Sequence, residues 1–481
     1  MPINSFLYPG PTNSNPYAVD NSCRFNDGDT AYMHKTPSSV GDLQKFTYSV
    51  WFKRGVLTGA EQYLLEYNEA GDNDDNFRIT LSSSDTLFIQ DTESNTSNLD
   101  LRTNMVFRDV SAWYNLIVAV DTTQGTAANR CKVYVNGTQI TSWSTETYPS
   151  QNYNTNVNVA NEKLIIGRRE SISTPTSYFD GYMCEVVFLD GTQASNTDLG
   201  EFDEDSPTIW KPKDVSGLTF GTNGFYLDFE DSANLGNDKN GGTDFTEVNL
   251  AATDQSTDTC TNNFATMNSI ENTAASTFSE GNLQVLTHSG NFSYNISTIG
   301  VPAGKWYCEI KCTAQSSDEN KFKVGIAGKT TASTSDFLGE DTDTDDTIAY
   351  NGTDGDYQKA GTEVSYGDSY TTNDIIGIAL DVDNSKLYFS KNGTFQNSGD
   401  PTSGATGTGA ISTGSPSTGF WHFAVGDIDN DTTYTYQINF GNPVHSISSG
   451  NSDANGYGNF EYAPPSGYLA LCTKNLGSDG G

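Results

Sequence analysis

The sequence predicts an all-β protein: two antiparallel β-sandwich (jelly-roll-like) domains joined by an ordered connector. Three observations predict it. The run Asp374 to Gly393 reads as two consecutive hairpins. Ile375 to Val382 and Lys386 to Ser390 are strand segments parted by Asp383-Asn384-Ser385, and the second ends in Asn392-Gly393, a dipeptide that accepts the positive φ angles of a type I′ turn. Phe46 to Phe52 alternates apolar and polar residues, and Cys131 to Val135 runs into a second such pair, Asn136-Gly137. Composition agrees, since 46 glycines, abundant Ser, Thr and Asn, and 12% aromatic residues favour short strands and polar turns over helices.

In chain order, residues 1–20, with Pro2, Pro9, Pro11 and Pro16, read as an extended arm able to dock on a neighbouring subunit. Residues 21–195 hold strands at sandwich spacing, among them the nearly continuous apolar run Trp113 to Asp121. Residues 196–275 carry Gly224 to Phe229, Asp244 to Thr246 and Asp258 to Phe264. They are too aromatic for a free linker, so a connector packed on a domain is expected. Residues 276–475 form the second sandwich, in which Gly399 to Gly419 reads as a flexible loop insertion. Residues 476–481 read as a polar, frayed tail.

A total of 25 Lys and Arg against 61 Asp and Glu leaves a net charge of −36. That field repels phosphate backbones and anionic lipid surfaces, which argues against nucleic-acid partners and suits a soluble acidic surface. The 7 cysteines are scattered without a CxxC pair, which predicts reduced, buried thiols. Cys308 and Cys312 lie four apart on one strand, on the same face but too far apart to bond to each other. The start Met1-Pro2-Ile3-Asn4 lacks the basic and apolar runs of a signal peptide, and no stretch approaches a membrane span. Synthesis and folding in a cytoplasm, without membrane insertion, are expected.

Five segments of the first sandwich, Ser22 to Tyr32, Tyr48 to Lys53, Lys132 to Gly137, Ile166-Gly167 and Phe179 to Val186, resemble the laminin-G-like, concanavalin-type lectin and glucanase sandwich. The second resembles the SPRY domain through Gly304 to Ile310, Val324 to Ala327, the hairpin run from Asp374, Phe423 to Gly426 and Ile438 to Gly441. The order of lectin-like sandwich, aromatic connector and SPRY domain is similar to virion proteins of tailed bacteriophages, of tail-fibre or head-decoration type. This resemblance implies a non-enzymatic virion surface component, made in the bacterial host cytoplasm, that attaches to a host-surface glycan. Its partners would be other virion proteins of the capsid or tail, and it would be a homo-oligomer. A head decoration protein without receptor binding fits the same resemblance.

Catalytic patterns fail when sought. Glucanases of the first fold use a Glu-x-Asp-x-x-Glu strand whose alternate carboxylates face one cleft. Here the only Glu-x-Asp is Glu201-Phe-Asp203, and position 206 is Ser206. Gly328-Lys329-Thr330 lacks the leading glycine of a phosphate-binding loop, since position 323 is Lys323. Among four scattered histidines, His422 reads as a satisfied strand residue.

Exposed aromatic rings beside amides and carboxylates are what a sugar needs, because ring faces stack on pyranose C–H groups. Trp143, Tyr148 and Tyr153, with Tyr350 and Tyr357, are the candidates. The same rings also suit packing under loops or against a neighbouring subunit. No cofactor is required by these readings, and calcium is the one candidate ion. Asp427, Asp429 and Asp431 form the best-spaced acidic cluster for it, ahead of Asp72/Asp74/Asp75 and Asp341/Asp343/Asp345/Asp346; solvated loops explain the same clusters.

Overall fold

The computed structural model describes residues 17–68, 75–170, 177–291, 294–329, 336–340, 346–428 and 431–479. Four large, mainly antiparallel sheets make two sandwiches, and the only α-helices described are Asn196–Leu199 and Thr473–Asp479.

The N-terminal sandwich pairs two eight-stranded sheets. One, the closed sheet, runs Thr138–Gln139, Cys131–Val135, Trp113–Asp121, Lys45–Arg54, Gly181–Asp190, Ser22–Phe25 and Gln255–Ser256, with Phe225–Leu227 also pairing to Gly181–Asp190. The open sheet runs Trp143–Thr147, Thr96–Val106, Thr86–Glu93, Asn76–Leu81, Gln62–Asn68, Lys163–Ile166, Tyr32–Lys35 and Thr246–Val248. The period of two dictates what lies between them. Phe46, Tyr48, Val50 and Phe52 point inward from one strand and meet Leu65, Tyr67, Phe77 and Ile79 from the facing sheet. Both Asn-Gly pairs adopt the expected type I′ signs, with φ of 47° and 74° at Asn136 and Gly137 and 48° and 80° at Asn392 and Gly393.

The aromatic connector is built into this sandwich. Its strand Thr246–Val248 closes an edge of the open sheet, Gln255–Ser256 an edge of the closed sheet, and Phe225, Leu227, Phe229 and Phe245 enter the core. A second set of its apolar residues, Leu199, Trp210, Val215, Phe220 and Tyr226, covers the outer face of the closed sheet at Trp51, Ile117, Cys184, Val187 and Leu189. That face is therefore dry on both sides, as its nearly continuous apolar strands require.

The C-terminal sandwich packs a nine-stranded sheet, centred on Lys305–Gln315 and Ile375–Asp381, against a six-stranded sheet centred on Phe322–Ala327. Trp306, Ile310, Val324, Ile378, Phe389 and Tyr436 fill its core. Cys308 and Cys312 both point into that core, and all 7 cysteines are free.

Three expectations need correction. Of the arm, residues 1–16 lie outside the described residues, and the remainder docks on its own chain: the Val19 amide donates to Thr261 Oγ1 at 3.0 Å, and the Tyr17 hydroxyl donates to Glu185 Oε2 at 3.0 Å. Gly399 to Gly419 is not a free insertion, because Pro401 is buried in a 3₁₀ turn and Ile411 pairs with Leu387 and enters the core. The tail is helical through Asp479, held by buried Asn475, which donates to Asp453 Oδ2 at 2.7 Å and to the Ala470 carbonyl at 2.8 Å.

A polar clamp joins the sandwiches. Lys53, 1% exposed, donates from Nζ to Asp258 Oδ2 at 2.8 Å, Asn263 Oδ1 at 2.7 Å and the Phe264 carbonyl at 3.0 Å. Beside it Arg24 pairs with Asp254 at 3.2 Å and Glu280 at 3.1 Å, and the Tyr182 hydroxyl donates to the Gly281 carbonyl at 2.9 Å.

Candidate functional site

With the closed sheet covered, the outer face of the open sheet is where the N-terminal sandwich carries its ordered polar side chains. Strand register lines them up. Asp100, Gln90, Arg78, Glu66, Ile165, His34 and Thr246 stand opposite one another across adjacent strands. A second row sets Arg102, Phe88, Thr80 and Tyr63 side by side. Their sequence neighbours Leu101, Ile89, Ile79 and Leu65 point into the core, so alternation sends both rows outward.

The centre of the face is an aromatic ring between two guanidinium groups. Arg78 and Arg102 place their guanidinium carbons 4.8 Å and 4.2 Å from the Phe88 ring centroid. Neutral partners hold Arg78: Nε donates to Gln90 Oε1 at 3.0 Å and Nη1 to the Tyr63 hydroxyl at 2.8 Å, while Nη2 also reaches Gln90. Arg102 instead forks onto Asp100, at 2.9 Å and 3.0 Å. At the far end Arg168 lies 3.8 Å over Tyr32, which stacks on His34 with centroids 5.9 Å apart. Arg168 and Lys163 share Glu170. Burial pushes the Glu66 carboxyl up to about 7, although its hydrogen bond from the Glu170 amide and the nearby Arg169 and Arg78 charges pull the other way.

A charge-rich face with stacked rings and amides suits hydrogen bonding and stacking. Glu66 and Asp100 in the same row are three strand spacings apart, about 14 Å, beyond the roughly 5–10 Å that a glycosidase pair needs.

The residues singled out by sequence fall elsewhere. Trp143 sits on the edge strand of the open sheet but packs against the core, as does Tyr148, whose hydroxyl donates to Glu146 at 3.1 Å. Tyr153 is tied down, donating to Asp91 Oδ1 at 2.8 Å and accepting from Asn98 Nδ2 at 3.1 Å. Tyr350 is fully buried, its ring 5.2 Å from Phe389 and 5.0 Å from Tyr370, so it offers no stacking face; the strand turns it inward. Tyr357 is half-buried against Tyr366. Asp427 is buried at a strand end, Asp431 is exposed, and Asp429 lies outside the described residues, as do Asp72, Asp74, Asp341, Asp343 and Asp345. Asp346 is buried and accepts from the Ser417 amide at 2.8 Å. Among the described residues, no three His, Cys, Asp or Glu side chains gather to hold a metal. His422 is satisfied, its Nδ1 2.9 Å from the Ser297 carbonyl. Sequence reasoning missed Arg78, Phe88, Gln90 and Arg102. The available signal was the polar phase of Asn76-Phe-Arg-Ile-Thr80, whose alternate members must face away from the core.

Comparison with known proteins bears on both sandwiches. Residues 27–195 match the model of the concanavalin A-like lectin/glucanases superfamily, and residues 305–411 match that of the SPRY domain. No curated protein matches the chain. Among solved structures, the SPRY domain of human HERC1 is similar at 17% identity and a TM-score of 0.25, over 32% of this chain and 87% of that one. The heptameric SAP-like pentraxin of Limulus polyphemus is similar at 14% identity and a TM-score of 0.28, over 37% and 80%. The carbohydrate-binding module of a Ruminococcus gnavus sialidase is similar at 15% identity and a TM-score of 0.24, over 31% and 87%. The chain thus joins a laminin G-like, concanavalin-type sandwich to a SPRY domain.

Proposed function

We infer that this protein is a non-catalytic glycan-binding component, which meets carbohydrate on the outer face of the open sheet. The observation that carries this reading is the pair of outward rows around Phe88. Strands there hold guanidinium and carboxylate groups in place over the buried Phe88 ring, and the half-buried Tyr32 and His34 rings lie on the same sheet, a mixture of the kind that sugar recognition uses. The match to a lectin-type superfamily supports it. The separation of Glu66 from Asp100 supports binding without turnover.

The domain order resembles that of tailed-phage virion proteins, and on that resemblance we place the protein on a virion surface. It would be displayed as a homo-oligomer, anchored to other virion proteins and turned toward a host glycan, with calcium as an optional ligand of the Asp427 to Asp431 segment. The test is binding of the purified chain to an immobilised glycan panel and to intact host cells, with and without chelator. Saturable binding competed by free sugar, without release of reducing ends, is expected. Absence of binding to every glycan and to cells overturns the attachment reading and leaves the decoration role; sugar release overturns the non-catalytic one.

A further inference from the structure

The arginines of this chain are not spread over its surface. Arg169 is the last of them, so the residues that follow, including the whole SPRY sandwich, contain lysine but no arginine. Four of those few, Arg78, Arg102, Arg168 and Arg169, belong to the open sheet or the turn that follows its strand Lys163–Ile166. In a molecule of net charge −36, this concentrates guanidinium groups on one ordered face, where they alternate with Asp100, Glu66 and Glu170.

Among the described residues Arg78 is hydrogen-bonded to no carboxylate, although the Glu66 carboxyl stands opposite it on the adjacent strand. Its hydrogen-bond partners are a side-chain amide and a phenol, and among the described residues it makes no ion pair. A guanidinium carries five N–H donors; Gln90 and Tyr63 engage three, which leaves two. The group is half-buried and stiffened by its neighbours, so little side-chain freedom remains to be lost when a ligand arrives. Arg102, with 45% of its side chain exposed, stands on the other side of the same ring.

We propose that the open sheet selects acidic sugars, a planar carboxylate seating on Arg78 and Arg102 beside Phe88 while Asp100 takes a neighbouring hydroxyl. This rests on the glycan-binding reading and names the substrate class for it. The guanidinium fork matches a carboxylate in-plane, and a local pair of arginines lets an overall acidic protein hold an anion that it repels elsewhere. A ligand without the carboxylate leaves the Arg78 donors unmatched in a half-desolvated site, which is the origin of the discrimination.

The test titrates the full chain calorimetrically with uronic- and sialic-acid-bearing oligosaccharides, their methyl esters, their neutral counterparts and a sulfated counterpart. The acids are expected to bind at least tenfold more tightly than esters and neutral sugars. Arg78→Gln is expected to abolish that difference while leaving residual neutral-sugar binding and the melting temperature intact. If Arg78→Gln unfolds the sheet, Arg102→Gln at the exposed position carries the comparison. Equal affinity for acid, ester and neutral sugar overturns this inference and leaves the glycan reading standing. Acid preference unchanged in both variants, or a sulfated sugar bound more tightly than the carboxylated one, also overturns it. No binding of any sugar overturns both.

Discussion

Single residues in this protein act through what stands against them. Gly137 holds φ of 74° in its turn, and a Cβ there would lie 2.2 Å from the Trp210 ring. Gly137→Ala therefore combines left-handed strain with a clash against a side chain that anchors the connector. A loss of roughly 1–3 kcal/mol is expected, read as a lower urea midpoint, and an unchanged midpoint would contradict the packing described. The Asn-Gly turns were legible because φ preference is local to two residues. The Arg78, Phe88 and Arg102 stack was not, because it depends on which residues stand opposite one another on three strands, and no local pattern sets that register. Tyr350 failed for the related reason that the Gly and Asp after it read as a loop, while it belongs to the strand Thr347–Asn351 and faces the core.

At the level of elements, the connector is the feature that sequence only half disclosed. Its aromatic content announced burial, yet strands of two or three residues such as Gln255–Ser256 and Phe225–Leu227 carry no period long enough to read. Their existence follows from the sheets they complete. The clamp between sandwiches is similarly tertiary. Lys53 and Asp258 are 205 positions apart and form an ion pair buried on both sides. Replacing Lys53 by Met leaves Asp258 buried with only the Trp113 indole and Phe264 amide as donors. A cost of about 3–5 kcal/mol is expected, with the connector more open to proteolysis; a variant as stable as the parent would show that the pair breaks even with an apolar substitute.

The whole molecule should be more stable in mild acid than at neutral pH. Burial pushes the carboxyls of Glu66, Asp91, Asp180, Glu185 and Glu309 up to about 7. In the unfolded chain they release their protons near pH 4. The folded chain thus holds more protons between the two values, so this stability is fully present below the unfolded pKa and is lost as pH rises through about 7. Burial lowers His34, His422 and His445, the last to about 4, and these oppose the trend over the lower part of the range, three groups against five. A melting temperature higher at pH 5 than at pH 8 is expected, and the reverse order would contradict it. Closure of the first sandwich by its connector also has a consequence in time. Ser22 pairs with Ser256, so the ribosome must add 234 residues before that strand edge is sealed. At roughly 5–20 residues per second this is about 10–50 s, during which the Trp51 and Ile117 surface also lacks its cover. A chain stopped at residue 195 should collect in inclusion bodies and one stopped after residue 260 should not, so premature termination between these points is the hazard that this architecture creates for the cell that makes it.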